Sequence, residues 1–191
     1  MYRRHVAIAL LTLLAAPLPA AAQTPITGLQ PANPAPTADK LAPGLAVNYS
    51  FGIINRIKEL NEKGKHVGKP LTHLGWDMGG GKVLTSDETD GVQAHIFGYI
   101  RFPAAGTYTF EVNSNDGVRV EIGGKLIWDD GDVHSDRLSP PIPVQVTAPG
   151  LYPIKILYFE KRYTATLEVF WAAPGGQRTV IAGDAIVHLK R

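Results

Sequence analysis

Nine of the seventeen acidic side chains, Asp87, Glu88, Asp90, Asp116, Asp129, Asp130, Asp132, Asp136 and Glu160, fall in four stretches, residues 85–91, 113–117, 129–139 and 160–163. Carboxylates gathered this way can accept the hydroxyl protons of a polyol, ligate a hard cation such as calcium, or work in pairs on a glycosidic bond. The run DDGDVHSD, Asp129 to Asp136, alternates acids as a calcium loop does, but it lacks the central Gly and terminal Glu of an EF-hand, so it reads as a solvated acidic loop. Within it, Asp130, Asp132 and His134 are positioned to bond sugar hydroxyls. A pyranose also needs an aromatic face for its C–H side. Trp128, which leads into the acidic run, and Tyr163, which follows Glu160, are the candidates, whereas Trp76 and Trp171 sit in or beside apolar runs and read as core. Other chemistry is poorly supplied. There is no cysteine, no GxSxG, no HExxH and no phosphate-binding glycine loop, and the histidines at 5, 66, 73, 95, 134 and 188 show no ligand spacing. The chain reads as a binding protein, not an enzyme; a small glycosidase is the weakest alternative.

The elements that must position these residues are strands. Gly 20 and Pro 15 are more punctuation than a helical bundle tolerates. Val92, Ala94, Ile96, Ile100 and Phe102 recur at even spacing, as do Tyr108, Phe110 and Val112, then Val118, Val120 and Ile122 before a Gly123-Gly124 hairpin turn. Further runs follow at 142–146, 151–159 and 164–171, and IVHL near the end adds an edge. Ile53, Ile57 and Leu60 suggest one short helix over residues 53–63. The expected fold is all-β, an antiparallel sandwich or barrel with at most that helix. If each turn reverses the chain, the four acidic stretches share one end and the tight turns near Gly106, Gly123 and Gly150 share the other.

Ahead of these strands, residues 1–22 carry Arg3 and Arg4, an apolar stretch broken by Pro17 and Pro19, and Ala20 and Ala22 before Gln23, the pattern of a secretory signal. Residues 23–43, with five prolines, read as a Pro-rich linker, leaving 44–191 as the domain. Removing the signal takes two basic residues from 19 and none of the 17 acidic ones, so the mature chain is neutral. That balance excludes nucleic acid as an expected partner, and no membrane span is expected in the mature chain. The destination is periplasmic or extracellular, with stability drawn from the core and not from disulfides.

Three pieces in order, G-Y-I-R-F-P-A-A-G-T-Y-T-F from Gly98, D-G-V-R-V-E-I-G-G-K from Asp116, and the Y-F-E strand ending in V-F-W-A-A-P-G, resemble the protective-antigen-type, or PA-fourteen, domain of bacterial toxins, glycosidases and fungal adhesins. The resemblance spans about Gly44 to Lys190. It implies a β-sandwich and a noncatalytic module that commonly binds carbohydrate. In the adhesin members two successive aspartates, joined by a cis peptide, ligate calcium that grips sugar hydroxyls; that pair matches Asn115-Asp116, and Glu160 stands where a third ligand, an Asn, is found. An amide in the first position removes a charge, which Glu160 would restore. The same residues also read as a turn in which Asp116 caps backbone amides and Glu160 pairs with Arg162 or Lys161. The expected function is a secreted, calcium-assisted carbohydrate-binding module using Asn115, Asp116, Tyr163, Trp128, Asp130 and Asp132, with Asn115, Asp116 and Glu160 on the metal. The alternative is an adhesion module on the same fold that binds a cell-surface protein.

Overall fold

A computed structural model of the chain describes residues 23–191. The expected signal peptide lies outside the described residues. Fourteen strands follow in chain order: β1 (Leu41–Pro43), β2 (Ala46–Phe51), β3 (His66–Val67), β4 (Gly75–Gly79), β5 (Val92–Phe102), β6 (Gly106–Asn115), β7 (Val118–Ile122), β8 (Lys125–Asp130), β9 (Arg137–Leu138), β10 (Ile142–Val146), β11 (Gly150–Glu160), β12 (Ala165–Ala172), β13 (Thr179–Val180) and β14 (Ile186–Leu189). They form two antiparallel sheets. The eight-stranded one runs β1-β14-β5-β11-β7-β8, with β2 beside β5 and β3 beside β2; the six-stranded one runs β10-β6-β12-β13, with β4 on β12 and β9 on β6.

The period-two pattern of the sequence explains the layering. In β7, Val118, Val120 and Ile122 are buried while Arg119 and Glu121 stay half-exposed, and β10 repeats this with Ile142, Val144 and Val146. These faces close on one core, whose turn end is filled by Phe102, Tyr108 and Tyr152, with Phe102 meeting Tyr108 edge-on at 4.8 Å and Tyr152 at 5.2 Å. Both tyrosines reach four residues back: Tyr108 donates to the Ala104 carbonyl at 3.0 Å and Tyr152 to the Ala148 carbonyl at 2.9 Å. The turns before β6 and β11 are thus built alike, each with a glycine at the strand start, Gly106 and Gly150.

Two expectations are corrected. Residues 53–63 hold no α-helix, only the three-residue 3-10 turn Ile57–Glu59. Ile54, Ile57 and Leu60, spaced by three, pack on Leu157 and Phe159 as a small second cluster, while Ile53 is exposed. The amide of Ile57 is spent on the Gly131 carbonyl, a tertiary bond in place of a helical one. The Pro-rich stretch 23–43, which includes the 3-10 turn Ala38–Lys40, is no free linker. Ile26 pairs with Val144, Gln30 donates to the Gly123 carbonyl, Ala32 donates to the Leu151 carbonyl, and Leu29 is buried. The segment thus straps the turn end of the sandwich from the smaller sheet to the larger, where β1 joins β14.

Candidate functional site

The opposite end carries the loops. β6 ends at Asn115, and the Asn115–Asp116 peptide bond is cis. Asp116 is 4% exposed. Its Oδ1 accepts from the His134 amide at 3.2 Å and its Oδ2 from the Lys161 amide at 2.7 Å, so one carboxylate ties together the loops after β6, β8 and β11. Burial raises its pKa above the ordinary carboxylate value, against the pull of those amides. The Asn115 carbonyl accepts from the Tyr158 hydroxyl at 2.7 Å, which anchors the loop to the core.

Beside it lies Glu160, at the end of β11 and 1% exposed, with both carboxylate oxygens buried and without a hydrogen-bond partner. Burial, then the charges of Asp90 and Asp116, push its carboxyl from 4.5 up to about 7; the Gly91 and Val92 amides pull weakly the other way without making a directed bond to it. The expected pairing of Glu160 with Lys161 or Arg162 does not form, because Glu160 is buried and neither cation makes an ion pair among the described residues. The other half of that turn reading holds: Asp116 does cap backbone amides.

Above this floor, Asp116, Val133, Lys161, Arg162 and Tyr163 line a pocket of about 310 Å³. Tyr163 is 79% exposed and has φ of 81°, in the left-handed region that a bulky residue enters only when held. The hold is Asp90, whose Oδ1 accepts from the Tyr163 amide at 3.0 Å. A concavity of similar size, about 320 Å³, lies on the outer face of the larger sheet over Phe97, Tyr99, Pro153 and Ile154, and no carboxylate side chain lines it.

The structure therefore brings Asn115, Asp116, Glu160 and Tyr163 to one place and leaves three expected residues outside the pocket. Trp128 packs half-buried on the core, with its indole N–H buried and unpartnered, and does not line the pocket. Asp130 is tied up at 3.4 Å from His134 and 3.2 Å from Arg137. Asp132 faces a separate concavity with Arg56, 3.5 Å away. The acidic end is in fact largely compensated: Asp87 pairs with Lys82 at 2.7 Å and Asp129 with Arg119 at 2.8 Å. Residue types alone did not reveal this pairing, nor did they mark Val133, Lys161 and Arg162 as pocket residues.

The donors around Asn115, Asp116 and Glu160 suit calcium in kind. All are oxygens, and the two orphaned Glu160 oxygens are acceptors that a cation or a proton would satisfy. Only two of the three are carboxylates, and among the described residues no three His, Cys, Asp or Glu side chains converge. Asn115 is the pivot. With its amide nitrogen turned to the carbonyls of His134 (3.0 Å) and Thr164 (3.2 Å), and its oxygen accepting from the Thr164 hydroxyl (2.9 Å), it is satisfied without a cation. With the amide turned the other way, its oxygen faces the carbonyls of His134 and Thr164, an arrangement that a cation would relieve.

The chain belongs to the PA14 domain family, whose match covers residues 82–184, just over half of the 191 residues. No curated protein matches it. Among solved structures it is similar to an anti-sigma factor domain-containing protein, at 22% identity and TM-score 0.63, over 76% of this chain and 48% of that one. It thus spans about half the length of that relative. It is similar to the PA14 domain of the MpAFP antifreeze protein, at 19% identity and TM-score 0.65, over 80% and 94% of the two chains. It is also similar to the PA14 sugar-binding domain from an RTX adhesin, at 16% identity and TM-score 0.61, over 76% and 98%. At such identities the likeness is one of fold.

Proposed function

We propose that this domain is a noncatalytic glycan-binding module of an exported protein, and that it grips a sugar at the Asp116 pocket. The observation that carries the reading is an exposed aromatic ring, Tyr163, held beside a buried carboxylate in a pocket of about 310 Å³. That volume lies at the small end of ligand pockets and suits one or two sugar rings. Tyr163 takes the C–H face, while the amides and polar side chains of the rim take hydroxyls. The similarity to a sugar-binding PA14 domain agrees with this use of the fold. Glu160 lies beneath the pocket and does not line it, so no second carboxylate stands across a bound sugar from Asp116 as acid–base hydrolysis requires.

Calcium belongs to this reading through Asn115, Asp116 and Glu160, which would hold it; when bound, it supplies direct coordination of neighbouring sugar hydroxyls. The test is titration calorimetry of the chain against a saccharide panel, in calcium and in chelator. Saturable binding that Tyr163→Ala weakens about tenfold or more, with the melting midpoint unchanged, supports the site. Binding untouched by that substitution removes it, and a silent panel leaves the alternative of a protein partner. A calcium-dependent rise in the midpoint marks the metal, since a ligand of the folded state alone raises stability by mass action.

A further inference from the structure

Resting on the glycan reading of the same pocket, we infer that its ligand is an anionic saccharide, one whose ring carries a carboxylate or a sulfate. Two cations, Lys161 and Arg162, stand side by side on the pocket wall. Among the described residues neither takes part in an ion pair, whereas four other basic residues at the loop end are engaged: Arg56 with Asp132, Lys82 with Asp87, Arg119 with Asp129, Arg137 with Asp130. The carboxylates nearest the same space make no ion pair with either cation. Asp116 lies 4% exposed with both oxygens occupied by backbone amides of two other loops, and Asp90 is turned to the Tyr163 amide. Glu88 and Asp136 remain exposed and without an ion pair on the neighbouring loops, and neither lines the pocket.

The pocket therefore carries two cations free of ion pairs beside the recessed Asp116, an aromatic ring on the exposed side and an apolar contact in Val133. A neutral sugar uses the ring and leaves both cations solvated. A uronic acid or a sulfated sugar uses the ring and places its anionic group on Arg162, whose planar fork matches two oxygens, with Lys161 adding a second point charge.

The experiment measures affinity for matched pairs: glucuronate against glucose, galacturonate against galactose, and a galactose sulfate as the third arm. These are run with the whole chain, with Lys161→Gln and Arg162→Gln singly and together, and with Arg162→Lys. Melting midpoints confirm that each variant is folded. The expected result is that at least one anionic member binds about tenfold tighter than its neutral partner and that this advantage shrinks with salt. The double variant brings the anionic member down to the neutral level, and Arg162→Lys keeps part of the preference. The uronate and sulfate arms tell the two sources of charge apart. Equal binding of neutral and anionic members, unchanged in the double variant, overturns the anion preference and leaves the glycan reading standing. Absence of binding to every member overturns both.

Discussion

A single carboxylate organises the binding end. Asp116 accepts two backbone amides from different loops, and removing it leaves both part-buried donors without an acceptor. Asp116→Ala is expected to cost about 2–4 kcal/mol, and Asp116→Asn about half as much, because the amide side chain keeps one acceptor oxygen. Urea unfolding midpoints check this, and the same variants should lose saccharide binding. Glu160 contributes a pH dependence of opposite habit to most carboxylates. Its carboxyl rises from 4.5 to about 7 on folding, so between those values the folded chain holds a proton that the unfolded chain has released. Stability therefore falls as pH climbs from about 4.5 to about 7 and is flat on either side, by up to about 3 kcal/mol for this group. Asp116, also raised, acts in the same direction. Chemical denaturation in chelator across pH 4–8 should show the decline, and Glu160→Gln should flatten most of it. A profile in which stability instead rises with pH contradicts this assignment.

At the scale of elements, alternation did most of the work that sequence can do. Val118, Val120 and Ile122 announced β7, the Gly123-Gly124 pair announced its hairpin, and counting reversals placed the loops after β6, β8 and β11 at one end, where Asp116 joins them. Pairing across space was not legible, since nothing local tells that Asp130 meets Arg137 or that Trp128 turns to the core. The helix expected over 53–63 failed because Ile57 bonds to Gly131, a partner far along the chain. The paired tyrosine turns offer a test of element design. Tyr152→Phe should leave the Ala148 carbonyl short of its donor and cost about 1 kcal/mol, with Tyr108→Phe costing a similar amount at Ala104. Gly123→Ala should cost more. Its φ is 55°, and an added Cβ would come within 2.7 Å of the Gln30 amide, so both the hairpin and the strap must yield.

Across the whole molecule the two ends divide the labour. The strap from Ile26 to Pro43 closes the end opposite the pocket, and its burial of Leu29 and part of Ile26 belongs to the domain's own core. Deleting residues 23–33 should therefore lower the thermal midpoint by several degrees, at about 2–3 kcal/mol for the lost apolar contacts. Saccharide affinity should stay unchanged, which separates a structural strap from a binding element. The strap was hidden because its prolines and small residues have the composition of a spacer; only contacts with Val144, Gly123 and Leu151 show that it is docked. The three tryptophans have a consequence for observation. Trp76, Trp128 and Trp171 are all packed on the core, while Tyr163 alone stands open at the pocket. Intrinsic tryptophan emission will thus report unfolding and stay silent when a ligand arrives. An indole placed by Tyr163→Trp would be the one fluorophore that a bound ring covers, turning the native blind spot into an optical readout of occupancy.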